Sequence, residues 1–329
     1  MNQTTVPSFL LLGFQNNQIV KSLLFVVILW IYTLTLAGNF LLIILVVKVP
    51  ALRSPMYVLL SQLSLSDILL TTNITPNLLS LLLSGGGTIL LTDCLTQFFF
   101  YCVSTAIECL LLTAMSYDRY LAICHPLRYG AIMDFKLRVY MSLWSWSLSF
   151  MVALVLDLLI SHLQFCGPLI IDHYFCDFSP LLELSCSDIK VVQLTDVTFG
   201  IVFAVFPIFF IIFTYISIGL AVLRISSTNG RHKAFSTCSS HLIVVCTYYG
   251  TLITVYMVPS KGHTFNVNKV LSLLYTVGTP FFNPIVYSLR NNEIKVALQK
   301  CMSNFLVILF RSVQSHIQSL GPNFNIDET

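Results

Sequence analysis

Three acids stand inside long apolar runs of this chain: Asp67, Glu108 and Asp157. A carboxylate in hydrocarbon is costly, and acids kept there mark function. Asp67 lies roughly 15 Å from the inner end of its run, at about 1.5 Å per helical residue. Glu108 precedes Arg119 by about 16 Å on the same rise. Two carboxylates at one depth on neighbouring helices cannot both stay ionised at close range without a cation. Asn39 and Asn283 fall near the same level. Together these residues read as a polar layer with a sodium ion as its fitting occupant. The alternative is a water-filled hydrogen-bonded network without a specific ion. Asp157 has no evident partner and reads equally well as a protonated acid bonded to helix backbone. Arg119 follows Asp118. The pair forms a charge-assisted bond at the membrane boundary, or Arg119 is an anchor whose head reaches water. Spacing alone does not separate these readings.

The ten cysteines divide by position. Cys94, Cys166, Cys176 and Cys186 fall on the outer side, where an oxidising compartment favours disulfides. Four cysteines allow three pairings, and the spacing does not choose among them. Cys102, Cys109, Cys124, Cys238 and Cys246 lie in or near helices and read as packing residues. Cys301 sits at the inner face, where a palmitoyl thioester is one option.

What must position these groups follows from composition. Apolar residues make up 56% of the chain and charged residues 9%, against about 25% charged in a soluble domain. The excess apolar surface therefore faces lipid. A net charge of +3, with no basic run interleaved with aromatics, gives no footprint for nucleic acid. Seven runs are long enough for a bilayer core that needs about 20 apolar residues: 23–47, 57–82, 94–122, 139–162, 195–222, 237–258 and 269–289. Backbone groups must be satisfied inside the bilayer, so these runs are helices. The expected fold is an all-α membrane protein, a seven-transmembrane helix bundle with a short amphipathic helix after the seventh span. Its expected parts are an extracellular N-terminus over 1–22, the bundle over 23–290, an amphipathic juxtamembrane helix over 291–310 and a cytoplasmic tail over 311–329.

With the N-terminus outside, Lys21, Lys190, Lys261 and Lys269 lie outside and the other 13 of the 17 Lys and Arg residues inside. That excess of positive charge on the inner side favours this orientation. The first span is expected to act as an uncleaved signal-anchor, since no basic start and cleavage site precede it. Asn2-Gln-Thr is then a glycosylation acceptor on the outer side. Asn73-Ile-Thr also matches but falls within the second span.

Several motifs occur in a fixed order: Gly38-Asn39, PMYVLLSQLSLSD from Pro55 to Asp67, MSYDRYLAICHPLRY from Met115 to Tyr129, KAFSTCSSHL from Lys233 to Leu242, and NPIVYSLRN from Asn283 to Asn291. By these motifs the chain resembles the olfactory receptors, a branch of the rhodopsin-like G-protein-coupled receptors, from about residue 8 to residue 300. Departures are mild: Ser116 stands where the family usually has Ala, and Val58 and Leu59 where it usually has aromatics. The resemblance implies bridges Cys94–Cys176 and Cys166–Cys186, and supports Asp67 and Glu108 as a sodium pair. It implies an activation switch of Asp118, Arg119, Tyr215, His241, Asn283 and Tyr287. Pro207, Gly250, Pro280 and Pro284 are expected bending points.

The i, i+3, i+4 spacing of Cys102, Thr105 and Ala106 puts them on one face of the third helix. To these the resemblance adds ligand-binding positions Phe178, Phe199, Phe203, Tyr249, Leu252, Tyr256, Leu273 and Thr276. The set is apolar with a few hydroxyls, which suits a small, mostly apolar odorant held by one or two hydrogen bonds. Tyr101, one turn before Thr105, is not an acid, so no amine-binding salt bridge is expected there. The implied partners are an odorant, membrane lipid and a heterotrimeric G protein with a stimulatory, olfactory-type α subunit that raises cyclic AMP. The implied location is the plasma membrane, and no cofactor is expected beyond the structural sodium ion. A rival reading is a non-olfactory rhodopsin-like receptor for a lipid or peptide. A transporter would show inverted repeats, and an enzyme a catalytic motif; neither is found.

Overall fold

The computed structural model describes residues 8–257, 265–301 and 303. The apolar runs become helices that are longer at their ends than hydropathy alone predicts. The first span is α1 (Gln18–Lys48). It starts inside the segment expected to be a free N-terminal arm, because the Asn17 side chain accepts the Val20 N–H at 3.0 Å and caps the helix. The second and third spans are α2 (Pro55–Ser84) and α3 (Leu91–Cys124). A short helix, α4 (Pro126–Ile132), precedes the fourth span, α5 (Phe135–Ser161). The outer loop carries α6 (Phe178–Glu183). The fifth span is α7 (Lys190–Gly200), a π-helical segment (Ile201–Val205) and α8 (Phe206–Leu223). The sixth is α9 (Thr228–Met257). The seventh is α10 (Phe265–Leu273), a second π segment (Leu274–Gly278) and α11 (Thr279–Arg290). Among the described residues, five of the spans are by themselves long and apolar enough to cross a membrane.

The two π segments have an identifiable cause. Pro207 and Pro280 stand at the first turns of α8 and α11. A proline ring clashes with the carbonyl four residues earlier. Those carbonyls belong to Phe203 and Thr276, and both lie in the π segments, where the wider turn takes up the clash. Pro76 in α2 is a further interruption that was not among the expected bending points. Gly38 permits close approach of α1 to α11: a Cβ there would stand 3.2 Å from the Pro284 ring.

One feature departs from the all-helical expectation. The outer face carries a three-stranded sheet with order β2-β1-β3, formed by β1 (Ser8–Leu11), β2 (Gly87–Leu90) and β3 (Ile170–Ile171). β1 runs antiparallel to β2, with Phe9 opposite Ile89, and parallel to β3, with Leu11 opposite Ile171. Gly85, at φ 76°, ends α2 in the left-handed conformation that Gly adopts without strain and turns the chain into β2.

Two cores result. The inner one gathers Leu42, Leu63, Leu111, Tyr248 and Tyr287 from five spans. The outer one joins Phe9, Ile74, Phe98, Tyr174, Phe175 and Tyr275, so the N-terminal strand and the outer loop are packed into the bundle. The buried Lys269 clamps this cap. Its Nζ donates to Asp172 at 2.5 Å and to the Gly13 carbonyl at 2.9 Å, tying the seventh span, the outer loop and the N-terminal segment together. Lys269 was counted as an outside charge; its side chain is only 2% exposed. At the inner end, helix resumes over residues 292–301. Asn291 caps it, accepting from the Glu293 N–H at 3.0 Å, and Ile294 and Ala297 pack into the inner core. The rest of the expected amphipathic helix and the tail lie outside the described residues, apart from residue 303.

Asp172→Ala leaves a buried ammonium with only a carbonyl partner. It is expected to lower unfolding stability by about 3 kcal/mol, whereas Lys269→Met, which removes the charge itself, should cost less than half as much. Thermal denaturation of the purified protein in detergent checks the order; equal losses would refute the clamp.

Candidate functional site

The outer loop closes the bundle from above. Cys94 is bonded to Cys176 and Cys166 to Cys186, the first pair tying the loop to the start of α3. Gln97, one turn along α3, accepts the Cys176 N–H at 2.9 Å. Tyr174, Phe175 and Cys176 are fully buried. The Tyr174 hydroxyl meets that of Thr276 at 3.0 Å, and Tyr101 meets Tyr275 at 2.7 Å. Thr276, expected as a ligand contact, is therefore held by the lid.

Around these bonds the expected ligand residues fall into two levels. Cys102, Phe178, Phe199, Phe203 and Leu273 are half-buried against the outer core. Phe178 stacks on Phe98 with centroids 6.3 Å apart, and Phe199 meets Phe203 edge-on at 6.1 Å. Tyr249 and Leu252 belong to the inner core. Ala106 is buried, and the Thr105 hydroxyl donates to the Tyr101 carbonyl at 3.0 Å. The side chain of Tyr256 lies outside the described residues. Asn73 is engaged too, its amide donating to the Gln97 carbonyl at 2.8 Å.

The mid-depth layer forms, with a different bond from the one expected. Asp67 and Glu108 are both buried. The Asn283 amide donates to both Asp67 oxygens, at 3.2 and 3.1 Å. Asn39 donates to the Pro280 carbonyl at 3.1 Å. Among the described residues, one Glu108 oxygen and the Asn39 carbonyl oxygen are buried without a hydrogen-bond partner. Carboxylate and amide oxygens are the ligands a hard cation takes. The donor set therefore fits sodium.

At the inner end Arg119 binds Asp118 through two nitrogens, its Nε at 3.0 Å. Of the two sequence readings, the ion pair is the one formed. Tyr129 of α4 donates to the other Asp118 oxygen at 2.8 Å, a partner that sequence reading did not assign. Tyr215 and His241 meet at 2.7 Å, and His241 Nε2 lies 3.1 Å from the Leu112 carbonyl. A carbonyl only accepts, so Nε2 carries the proton and Nδ1 accepts from Tyr215. Tyr287 is buried with its hydroxyl unbonded. Arg119, Tyr287, Tyr57, Ser240 and Arg290 line an inner cavity of about 700 Å³. Asp157 has one buried oxygen without a partner, so the backbone bond considered for it is not made there. Cys246, expected in packing, is exposed, as is Cys301.

The family profile for olfactory receptors matches residues 28–305. The chain belongs to the olfactory receptor family. The receptor is 42% identical to human Olfactory receptor 6P1 over 295 residues, 90% of this chain and 93% of that protein. It is 43% identical to human Olfactory receptor 11L1 over 309 residues, 94% and 96% of the two chains. It is 42% identical to rat Olfactory receptor 1f45 over 302 residues, 92% and 96%. Membership makes this receptor a multi-pass membrane protein and a receptor rather than an enzyme.

The receptor's lid also contains a histidine held only by ring contacts, with Tyr174 and Phe175 at 4.6 Å. His173 is buried, and among the described residues neither ring nitrogen has a hydrogen-bond partner. Burial, and then the nearby Lys269 charge, push it down from 6.5 to about 3. The unfolded chain thus binds a proton near pH 6.5 that the folded lid refuses, so stability falls as pH drops through that interval. Asp177, raised to about 6 by burial, acts in the opposite sense above about pH 4. Relative to His173→Phe, the native receptor should lose about 1.4 kcal/mol per pH unit between roughly 6.5 and 3. Paired denaturation curves at several pH values check this; parallel curves would contradict it.

Proposed function

We propose that this receptor binds a small, mostly apolar odorant in the outer half of the bundle and activates a stimulatory, olfactory-type G protein that raises cyclic AMP. What chiefly supports the reading is the Asp118–Arg119 pair on the wall of the inner cavity. An agonist acts only through its greater affinity for the active state. In that state the inner end of α9 moves outward, the Tyr215–His241 bond opens, and Arg119 leaves Asp118 for Tyr215. The widened cavity then admits the C-terminal helix of the G-protein α subunit. The odorant rests on Cys102, Phe178, Phe199, Phe203 and Leu273 beneath the lid, where the few hydroxyls set its orientation.

In this proposal the N-terminus is outside and the C-terminus cytoplasmic, at the plasma membrane. Asn2, outside the described residues, would carry the glycan. Asp67 and Glu108 would hold a sodium ion, with Asn39 and Asn283 contributing oxygens. The ion would neutralise two buried acids and so favour the state in which they stand close.

Expressed with an olfactory-type stimulatory α subunit, the receptor should raise cyclic AMP on adding some member of a broad odorant panel. A response to a lipid or peptide but to no odorant would reject the reading. In the same assay, Asp67→Asn should abolish any shift of agonist potency by sodium; a shift that survives would remove the ion from this layer.

A further inference from the structure

Four cations stand at the inner ends of α1, α2 and α5. Lys48 is the last residue of α1, Arg53 closes the turn before α2, and Lys136 and Arg138 lie in the first turn of α5. The two arginines are in contact. Arg138 Nη1 donates to the Arg53 carbonyl at 3.1 Å, and its Nε to the Asp134 carbonyl at 3.2 Å. Both acceptors are neutral, and a guanidinium has five N–H donors. The charge of Arg138 and most of its donors are therefore left over. The ion pairs among the described residues are those of Arg119, Lys190 and Lys269, so no acid there pairs with any of the four. Asp134 is engaged as the cap of α5, accepting the Leu137 N–H at 2.7 Å. Asp118 has both oxygens taken, by Arg119 and by Tyr129. The excess of positive charge inside a membrane requires only a count of charges. It does not require an arginine of one helix to be pinned to the backbone of another.

The surface beside this corner favours a lipid over a soluble anion. Lys136, Tyr140 and Trp144 follow at i, i+4 and i+8, so they share one face of α5, and all three are exposed. Tyr140 meets Trp144 edge-on at 5.7 Å. Leu143 and Met151 are exposed as well, so the face turns apolar away from the cations. Tyr and Trp side chains belong at headgroup level. A molecule with phosphates on the cations and acyl chains along this face meets both halves. Charge then sets the headgroup. The single phosphodiester of an ordinary phospholipid satisfies one guanidinium fork, whereas four unpaired cations match a head with several phosphates.

We propose that this corner binds a polyphosphoinositide, an inositol lipid with several phosphates on its head. Arg53 and Arg138 hold the phosphates, Lys48 and Lys136 add charge, and the acyl chains lie along Tyr140 and Trp144. In a cell the contact rests on the orientation proposed above, because anionic inositol lipids belong to the cytoplasmic leaflet. It does not rest on odorant signalling.

The test uses the full-length receptor in phosphatidylcholine nanodiscs, where both leaflets carry the probe and orientation does not enter. The probe is phosphatidylinositol 4,5-bisphosphate with a diazirine on one acyl chain, and labelled residues are mapped by mass spectrometry. Labelling should saturate and concentrate on residues 135–151. Unlabelled phosphatidylinositol 4,5-bisphosphate should displace it about tenfold better than phosphatidylserine, at about fivefold for each further charge engaged. By the same measure, Arg53→Gln with Arg138→Gln should weaken binding about 30-fold. Arg224→Gln with Arg231→Gln, at the inner ends of α8 and α9, should change it less than about twofold, since distant surface charges are screened. Label spread evenly over the inner ends of all spans would overturn the proposal, as would equal displacement by phosphatidylserine. Displacement by soluble inositol 1,4,5-trisphosphate as strong as by the lipid would refute the role given to the acyl chains. These readouts use the native chain, so a misfolded variant leaves the test decisive. A receptor that binds the lipid as expected but answers no odorant would refute the signalling proposal alone.

Discussion

Hydrocarbon offers no water to a polar group, and the rest of this structure follows from that constraint. The backbone answers with helices. Hydroxyls answer by bonding back to the carbonyl a turn earlier, as Thr71 does to Asp67, Thr113 to Cys109 and Ser149 to Ser145. Amides reach across spans: Asn39 to Pro280, and Asn283 to Asp67. Against this background the unsatisfied groups stand out. Glu108, the Asn39 oxygen, Tyr249 and Tyr287 are each buried with an atom left over. Glu108 and Asn39 lie in the mid-depth layer and Tyr287 on the wall of the inner cavity, while others among the described residues, such as Thr75 and His173, lie toward the outer side.

The two cores are held by different means. The outer one is fastened by a disulfide from α3 to the loop, an ion pair to Lys269 and a sheet that spans three segments of the chain. The inner one relies on packing and on a few reversible bonds, those of Arg119 with Asp118 and Tyr215 with His241. The signalling proposal, in which the inner end changes shape while the outer end keeps it, fits this asymmetry. Packed interiors shift between discrete arrangements, not by continuous deformation.

Much of this was legible in the chain. A bilayer imposes one length and one polarity rule on every span, so apolar runs located the helices, and the third-helix motif put Arg119 beside its partner Asp118. The errors lie where partners are distant in sequence or conformation is local. β1 and β3 are four and two residues long, too short for an alternating pattern to register. Their pairing spans most of the first half of the chain. The glycine run Gly85–Gly87 was the one visible sign of the turn into β2. Lys269 was counted only as an outside charge, since nothing in its own helix shows that its partner is Asp172 of the outer loop. Depth put Asp67 and Glu108 at one level, but the Asp67 hydrogen bond goes to Asn283, since level does not reveal which helix face a side chain takes. Cys246 was read as packing by residue type, although its position on α9 turns it to lipid.

The sheet has a consequence for how the molecule is made. β1 is synthesised before its parallel partner β3, which lies about 160 residues later. At roughly 5–20 residues per second, several seconds or more pass before β3 exists. Until then the row of backbone donors and acceptors on that edge of β1 has only water, or a neighbouring chain, to bond. The cap is thus begun with β1 but closed only when the outer loop has been made, after four spans have followed β1 along the chain.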